Sequence, residues 1–298
     1  RGSPLAMWQA EWVQQKLREW DPQVEVSIQK IKTTGDKILD VPLAKIGGKG
    51  LFVKEIEEAL LSGKIDLAVH SVKDLPSELP PGLVLEAVTA RGDPWDALVS
   101  VKGLPFHRLR AKAKVGTSSL RRQAQLLHRR SDLEIVSLRG NLDTRLRKLY
   151  SEGLDGIVVA TAGLVRMGWE GKISEILSPD ICLPAVGQGA LGIEVCRDSL
   201  DELPFLSFLD HPLTHQAITA EREFLGGLGG GCQVPIAALG EVKGDQLRLE
   251  GLVCDVKGER LIRDSIQGEG QKAKALGVQL AEKMLGRGAD EILQSLAQ

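Results

Sequence analysis

Apolar positions recur along this chain at two spacings, one typical of helices and one typical of strands. Ser3 and Pro4, a capping serine and a proline suited to the first helical position, precede apolar residues at helical spacing over 5–20. Apolar residues at every second position over 24–28 predict a strand. The same patterns predict helices at 52–61, 119–128, 142–150 and 214–224, and strands at 65–69, 83–88, 97–101, 135–138, 157–160, 192–195, 247–253 and 260–266.

The order of these elements predicts the fold class. Strands alternate with helices up to about residue 212, which favours α/β sheets with parallel strands. Beyond that point a helix precedes strands in meander order, which indicates a smaller α+β domain. A chain of 298 residues exceeds what one core usually covers. We predict a first domain of residues 1–90 with 190–208, a second of 94–184 and a third of 212–298.

Composition narrows the function classes. No apolar run approaches the ~18 residues that a membrane span needs, so we expect no membrane association. The four cysteines have no Cys-x-x-Cys spacing, which disfavours a zinc site or a disulfide framework and indicates a reducing compartment. We expect no metal site. With a net charge of −2, the chain lacks the general basic character of a nucleic-acid binder, which disfavours that class.

Arginine is nevertheless concentrated in the centre of the chain, which favours an anionic ligand there. Solvated helix faces are the alternative for any single arginine. Within this stretch, residues 116–122 follow a predicted strand and open a helix, so hydroxyls, backbone N–H groups and two guanidiniums predict an anion site. Simple capping by Ser118 or Ser119 is compatible with it. The stretch contains Arg121, Arg122, Arg129, Arg130, Arg139, Arg145, Arg147 and Arg166.

Two further residues are candidates for chemistry. Asp74 follows a buried strand beside Lys73, where α/β sheets place ligand-binding groups, and its carboxylate could stabilise a developing cation or move a proton. A turn-forming aspartate before Leu75 is the alternative. Cys232 follows three glycines and precedes Pro235, so its thiol is a candidate nucleophile or attachment point. An idle loop cysteine is the alternative.

Two glycine motifs and one histidine pair do not predict nucleotide or metal binding. The Gly-x-Gly-x-x-Gly at 187–192 lacks the strand before and the helix after it, and we interpret it as a crossing segment or hinge. Residues 33–50 are predicted to form a mobile lid rather than a phosphate loop. His211 and His215 have no third ligand, and we interpret them as capping or surface residues.

Taken together, these motifs resemble the porphobilinogen deaminase family, also called hydroxymethylbilane synthases. The resemblance runs along essentially the whole chain. It lies in His-Ser-Val-Lys-Asp-Leu-Pro at 70–76, the arginine-bearing loop at 115–122, Ser-Leu-Arg-Gly-Asn at 137–141, Leu-Pro-Ala-Val-Gly-Gln-Gly at 183–189 and the cysteine segment at 221–236. The Arg-x-Ser of Arg1 and Ser3 also resembles the family, although the strand that the family has before it is absent from this sequence.

The resemblance implies a transferase that deaminates porphobilinogen and joins four molecules head-to-tail into a linear tetrapyrrole of porphyrin and heme biosynthesis. It implies a dipyrromethane cofactor attached through Cys232 and a catalytic carboxylate at Asp74. It also implies two α/β domains like periplasmic binding proteins, with the cleft between them, and a third domain carrying the cysteine. The implied cofactor-binding residues are Ser71, Lys73, Thr117, Ser119, Arg121, Arg122 and Gln188, and the implied substrate-binding residues are Arg1, Ser3, Arg139, Arg145 and Arg166.

The resemblance further implies a cytoplasmic monomer, or a plastid protein after removal of a transit peptide, that passes its product to the next enzyme of tetrapyrrole synthesis. Two other functions stay open from the residues alone. A non-catalytic anion-binding protein would explain the arginines but leaves Cys232 and Asp74 without a role. A nucleic-acid-binding module would need a basic surface, which the net charge disfavours.

Overall fold

A computed structural model describes residues 1–37, 53–230 and 234–295, with the side chains of 36 and 37 left out. The helices are α1 Pro4–Trp20, α2 Thr34–Lys37, α3 Lys54–Leu61, α4 Leu120–Arg129, α5 Leu142–Ser151, α6 Thr161–Arg166, α7 Leu206–Leu209, α8 Pro212–Gly227, α9 Ala273–Leu285 and α10 Ala289–Gln294. The strands are β1 Leu67–Ser71, β2 Leu83–Val88, β3 Asp96–Ser100, β4 Lys114–Gly116, β5 Glu134–Val136, β6 Gly156–Ala160, β7 Glu175–Ile176, β8 Leu191–Cys196, β9 Ile236–Lys243, β10 Gln246–Cys254 and β11 Leu261–Glu269.

The first sheet has the strand order β1-β8-β2. Both pairings are antiparallel, with Ala68 opposite Glu194 and Val84 opposite Val195. The prediction of parallel strands is therefore wrong for the described part of this sheet, because β8 returns late in the sequence and enters between the two earlier strands. Val13 and Leu17 of α1 pack with Ile193 and Val195 on one face of the sheet.

The second sheet has the order β5-β4-β6-β3-β7. Here β4 pairs in parallel with β5 and β6, as the alternating pattern predicts, whereas β3 runs antiparallel to β6. The carboxyl ends of β4 and β6 and the amino end of β3 therefore lie at one edge. The core on either side is apolar, with Leu98 and Val158 on one face and Ile157 and Leu149 on the other.

The third sheet is a meander of order β11-β10-β9, entirely antiparallel. Helices α8 and α9 cover it, and the fully buried ring of Phe224 packs among Leu249, Leu280 and Met284. The sequence pattern did not predict β9, although its first five residues are buried. With two α/β domains and a smaller C-terminal α+β domain, the predicted fold class is confirmed.

Two local predictions have other outcomes. Residues 24–28 do not form a strand: none of their backbone groups joins a ladder in the described chain, and Gln14 of α1 donates instead to the Val26 carbonyl at 2.8 Å. Of the predicted lid, residues 34–37 form α2 and 38–50 lie outside the described residues. No helix in the described part of the chain is long and apolar enough to cross a membrane.

Two chain segments cross between the first and second sheets side by side. Gly92 donates its N–H to the Gly189 carbonyl at 3.1 Å, and Gly189 has a φ of +91°. A Cβ on Gly189 would lie 2.6 Å from the Gly92 carbonyl oxygen, so this close approach requires glycine. The Gly-x-Gly-x-x-Gly motif thus forms a crossing segment between the two sheets.

Candidate active site

The site begins where β1 ends. The chain leaves Ser71 in a 3₁₀ turn over Val72–Asp74 that places the Asp74 side chain in an exposed position. The Ser71 hydroxyl accepts a hydrogen bond from Nε2 of Gln9, a buried residue of α1, at 2.9 Å. A cavity of about 360 Å³ brings to one surface Arg1, Ser3, Gln9, Ser71 and Asp74.

Lys73 extends from the same turn toward the crossing segment. Its Nζ donates to Oε1 of Gln188 at 3.4 Å, and Gln188 Nε2 donates to Asp96 Oδ1 at 3.0 Å. Removal from water and the charge of Arg122 lower the pKa of Lys73 to about 8, although Asp74 and Asp96 act in the opposite direction. Lys73 is therefore a cation near neutrality whose charge is held at an energetic cost.

Arg121 and Arg122 open α4 as predicted, but both side chains turn inward and are about 4% and 5% exposed. Nη1 of Arg121 lies 2.7 Å from Asp96 Oδ2, and Nη2 of Arg122 lies 2.7 Å from Asp96 Oδ1. Burial opposes ionisation of Asp96, yet the two guanidiniums outweigh it and hold the pKa of that carboxyl far below its usual range. The arginine pair thus shares one buried carboxylate.

The hydroxyls of the same loop organise the start of α4. Ser119 is the N-cap residue, and its Oγ accepts from the Arg122 N–H at 3.5 Å. Buried Thr117 donates its N–H to the Val136 carbonyl at 2.9 Å, and its hydroxyl accepts from the Ser119 N–H at 3.2 Å. The prediction of capping by Ser119 is confirmed.

Three further predicted arginines, Arg139, Arg145 and Arg166, are half-buried. Burial, together with the charge of Arg122, lowers the pKa of Arg145 to about 10, while Asp74 acts to raise it. Arg139 also adds to the lowering, so it belongs to the same electrostatic neighbourhood. Arg166 donates to the Gly189 carbonyl at 2.7 Å, its guanidinium carbon lies 5.8 Å from the Trp8 ring centroid, and burial lowers its pKa to about 10.

Of the other predicted residues, two cap helices and one lies outside the residues that the structure describes. Ser3 is the N-cap of α1 and accepts from the Ala6 N–H at 3.3 Å. His211 caps α8 through Nδ1, which confirms its predicted capping role. Cys232 lies outside the described residues, between Gly230 and Val234. A Cβ on Gly230 would lie 2.5 Å from the Ile236 side chain, so the chain packs tightly just before the cysteine.

Two residues of the cluster escaped the sequence-based prediction. Asp96 begins β3, where its sequence context is that of a polar residue at the end of an apolar strand. No neighbouring residue in the sequence indicates that it pairs with arginines 25 and 26 positions later. Gln9 is buried on the apolar face of α1, and its place between Leu5 and Val13 at helical spacing is the sequence signal that could have marked it.

Comparison with known proteins identifies a single family along most of the chain. The family model "Porphobilinogen deaminase, dipyromethane cofactor binding domain" matches residues 1–202, and "Porphobilinogen deaminase, C-terminal domain" matches 215–286. The chain belongs to the porphobilinogen deaminase family. Its members catalyse the deamination of porphobilinogen and the head-to-tail joining of four molecules into hydroxymethylbilane, with release of ammonia, on a dipyrromethane primer, and this chain is such a transferase with porphobilinogen as its substrate.

Curated relatives named porphobilinogen deaminase are similar over nearly their full length. The chain is 53% identical to the one from Geotalea uraniireducens, covering 100% of this chain and 93% of the relative. It is 57% identical to that from Syntrophotalea carbinolica, with 99% and 94% covered, and 56% identical to that from Nitratidesulfovibrio vulgaris, with 99% and 95% covered. A solved structure, the BvgS VFT2 domain of Bordetella pertussis, matches at 15% identity and a TM-score of 0.38, covering 66% of this chain and 75% of that one.

The described residues fit the dipyrromethane cofactor that the family carries. Arg121, Arg122 and Lys73 place three cations around one buried carboxylate, Asp96, so positive charge is in excess beside the exposed Asp74. Carboxylate-bearing pyrroles would neutralise that excess. When bound, the cofactor supplies the pyrrole carbon to which the first substrate is joined. The findings support this catalytic function and not a non-catalytic anion-binding protein.

Proposed function

We propose that Asp74 is the catalytic carboxylate of this transferase. Loss of ammonia from porphobilinogen leaves a cationic pyrrole, and an ionised carboxylate stabilises such a cation where it forms. The single observation that carries the proposal is the position of Asp74. It is exposed at the carboxyl end of β1, beside Lys73 and within the electrostatic reach of Arg145.

We propose next that Cys232 is the attachment point of the cofactor. A Cys232 Sγ–carbon bond forms as the carbon–nitrogen bond of a porphobilinogen breaks, and the thiol proton leaves with ammonia. Its place in the sequence after 229–231, a run of glycines, supports the proposal. The attached cofactor would lie against Ser71, Lys73, Thr117, Ser119, Arg121, Arg122 and Gln188.

The arginines outside the buried pair are proposed to hold carboxylates of incoming and growing pyrrole chains. Each addition brings an acetate and a propionate, so negative charge accumulates and needs guanidinium partners. Arg145 and Arg166 support this role because both hold their charge in half-buried positions. The proposed substrate-binding set is Arg1, Ser3, Arg139, Arg145 and Arg166.

The proposed domain division is 1–90 with 190–208, 94–184 and 212–298. One sheet falls within each of these ranges, and the crossing segments at Gly92 and Gly189 join the first two, which supports a hinge there. We further propose a monomer that works in the cytoplasm and passes hydroxymethylbilane to the next enzyme of tetrapyrrole synthesis. Among the described residues, the cysteines Cys182, Cys196 and Cys254 form no disulfide, which is in keeping with a reducing compartment.

The intact mass of the full-length protein tests the attachment site. The wild type is expected to carry the added mass of two linked pyrroles, and Cys232→Ala is expected to lack it. Cys254→Ala serves as the matched control because its buried thiol, whose pKa burial raises to about 12, is a poor nucleophile. An increment that persists in Cys232→Ala would refute the proposed attachment.

A further inference from the structure

One carboxylate outside the family motifs that mark the chain holds the arginine pair together. Asp96 is the first residue of β3 and is fully buried. Because β3 runs antiparallel to β6, with Asp96 opposite Ala160, its amino end lies at the carboxyl ends of β4 and β6. The topology of the second sheet therefore brings this carboxylate to the edge from which α4 begins.

Both oxygens of Asp96 are fully used as hydrogen-bond acceptors. Oδ1 accepts from Nε and Nη2 of Arg122, at 3.0 and 2.7 Å, and from Nε2 of Gln188 at 3.0 Å. Oδ2 accepts from Nη1 of Arg121 at 2.7 Å and from Sγ of Cys182 at 3.3 Å. A carboxylate with this many donors holds each of them in a fixed orientation.

The orientation leaves donors of Arg121 available to another anion, whereas Nη1 of Arg122 also donates to the Val158 carbonyl at 3.0 Å. Nη1 of Arg121 is occupied by Asp96, Cys182 and the Leu183 carbonyl. Within the described part of the chain, its Nε and Nη2 donate to no protein group. Through Gln188, Asp96 also connects to Nζ of Lys73, which lies on the catalytic turn of the first domain.

We propose that Asp96 is a positioning residue for the cofactor. It fixes one edge of each guanidinium and, through Gln188, the ammonium of Lys73, so that their remaining donors face the carboxylates of the pyrroles. This inference rests on the proposed cofactor-binding roles of Arg121, Arg122 and Lys73. Asp96 itself touches neither cofactor nor substrate.

Electrostatics explains why a neutral side chain would not replace it. Arg121 and Arg122 are both nearly fully buried, and Asp96 is the anion that lies between them. Without its charge the two guanidiniums repel each other in a medium of low polarity and turn away from their present orientation. Asparagine keeps the size of the side chain but offers one acceptor oxygen in place of two.

The test compares full-length Asp96→Asn with the wild type, each produced in a host that cannot make porphobilinogen. Porphobilinogen is then added, and the gain of cofactor mass is followed by intact-mass spectrometry. We expect Asp96→Asn to gain the mass about tenfold more slowly or worse, as loss of charge-assisted hydrogen bonds predicts. Thermal unfolding of each protein reports whether it is folded.

Asp155→Asn is the matched control in the same domain. Asp155 also accepts from Nε and Nη2 of one arginine, Arg110, at 2.9 and 2.7 Å, but at the protein surface. It should load at the wild-type rate. A folded Asp96→Asn that also loads at the wild-type rate would overturn the proposal. If Asp96→Asn does not fold, Asp96→Glu decides, since it keeps the charge and displaces it: slow loading supports the proposal and normal loading overturns it.

The pH dependence of loading separates positioning from mere support of the fold. In the wild type, loading should fall as pH rises past the Lys73 pKa of about 8. Because the charge of Asp96 raises that pKa, the fall should move to lower pH in Asp96→Asn, or in Asp96→Glu to a smaller extent. An unmoved profile contradicts the proposal. Cys232→Ala is the negative control and should gain no mass. A wild type that gains no mass refutes the proposed function, whereas equal loading of the wild type and Asp96→Asn refutes only this inference.

Discussion

The residue scale is where the charges of the site are decided. Lys73, Arg121 and Arg122 hold three positive charges around Asp96, and Asp74 stands beside them in an exposed position. The buried carboxylate holds arginines, while the exposed one is the proposed catalytic carboxylate. Burial and hydrogen-bond partners thus distinguish the two aspartates of this site.

Replacing Asp74 by asparagine tests the exposed carboxylate. Asp74→Asn keeps the shape of the side chain and removes the charge that would stabilise the substrate cation. We expect kcat to fall by about two to three orders of magnitude, with the unfolding temperature unchanged. Steady-state formation of hydroxymethylbilane measures it. Asp198→Asn, at an exposed position in the turn after β8, is the control, and a comparable loss there, or none in Asp74→Asn, would contradict the assignment.

At the scale of elements, α3 presses a titratable group against the first sheet. Glu57 of α3 is about 7% exposed, and burial together with the charge of Glu194 raises its pKa to about 7. Glu194 on β8 lies 2.8 Å from Nε2 of His70 on β1, and Arg222 of α8 also lies within its electrostatic reach. The contact between α3 and the sheet therefore depends on proton uptake.

The folded state binds a proton at Glu57 between its ordinary pKa of 4.5 and about 7, whereas the unfolded chain does not. The contribution of Glu57 to the free energy of unfolding is therefore fully present below pH 4.5 and is lost as pH rises through about 7. Glu57→Gln removes this loss, so we expect it to exceed the wild type in stability by on the order of 1–3 kcal/mol at about pH 8 and by little at about pH 5. Urea unfolding at the two pH values measures it.

The control for this measurement is Glu58→Gln, one position along α3 on its exposed side. It should follow the wild type at both pH values. A stability gain in Glu57→Gln that is the same at both pH values would show that proton uptake at Glu57 is not the cause.

At the scale of the whole molecule, the third domain packs on both others. Ile218 of α8 contacts Val72 and Val88 of the first domain, and Leu239 of β9 packs with Leu183 and Ala124. Fully buried Glu221 lies at the junction. It accepts from Arg91 and from the Gly187 N–H, both in the crossing segments, and from the Gly240 N–H of its own domain. This carboxylate joins the crossing segments to the C-terminal domain.

Glu221→Ala would leave Arg91 without its carboxylate and two buried N–H groups without an acceptor. We expect a loss of about 3–5 kcal/mol in the free energy of unfolding, together with faster proteolysis in the crossing segments. Chemical denaturation and limited proteolysis measure the two effects. Glu291→Ala, which removes the exposed ion pair with Arg260, should cost less than about 1 kcal/mol, and equal losses in the two variants would contradict the special role of Glu221.

The sequence by itself determined most elements, the fold class, the family and the residues of the motifs. Hydrophobic periodicity is a local property, readable within one helix or strand, so 83–88 and 119–128 agree with β2 and α4 to within a residue. The motif segments carry their chemistry in adjacent positions, which is why Lys73, Asp74 and the arginine loop could be selected from the chain alone.

The tertiary structure alone decided the strand order of the first sheet, the place of Asp96 and, among the described residues, the absence of strand pairing at 24–28. Each depends on which distant segment becomes a neighbour: β8 enters between β1 and β2 from more than 100 positions away, and Arg122 meets Asp96 across 26 positions. Hydrogen-bond ladders and buried ion pairs form between partners that local pattern does not specify. Asp96 can therefore be identified as the counter-ion of the arginine pair only from the strand pairing of the second sheet.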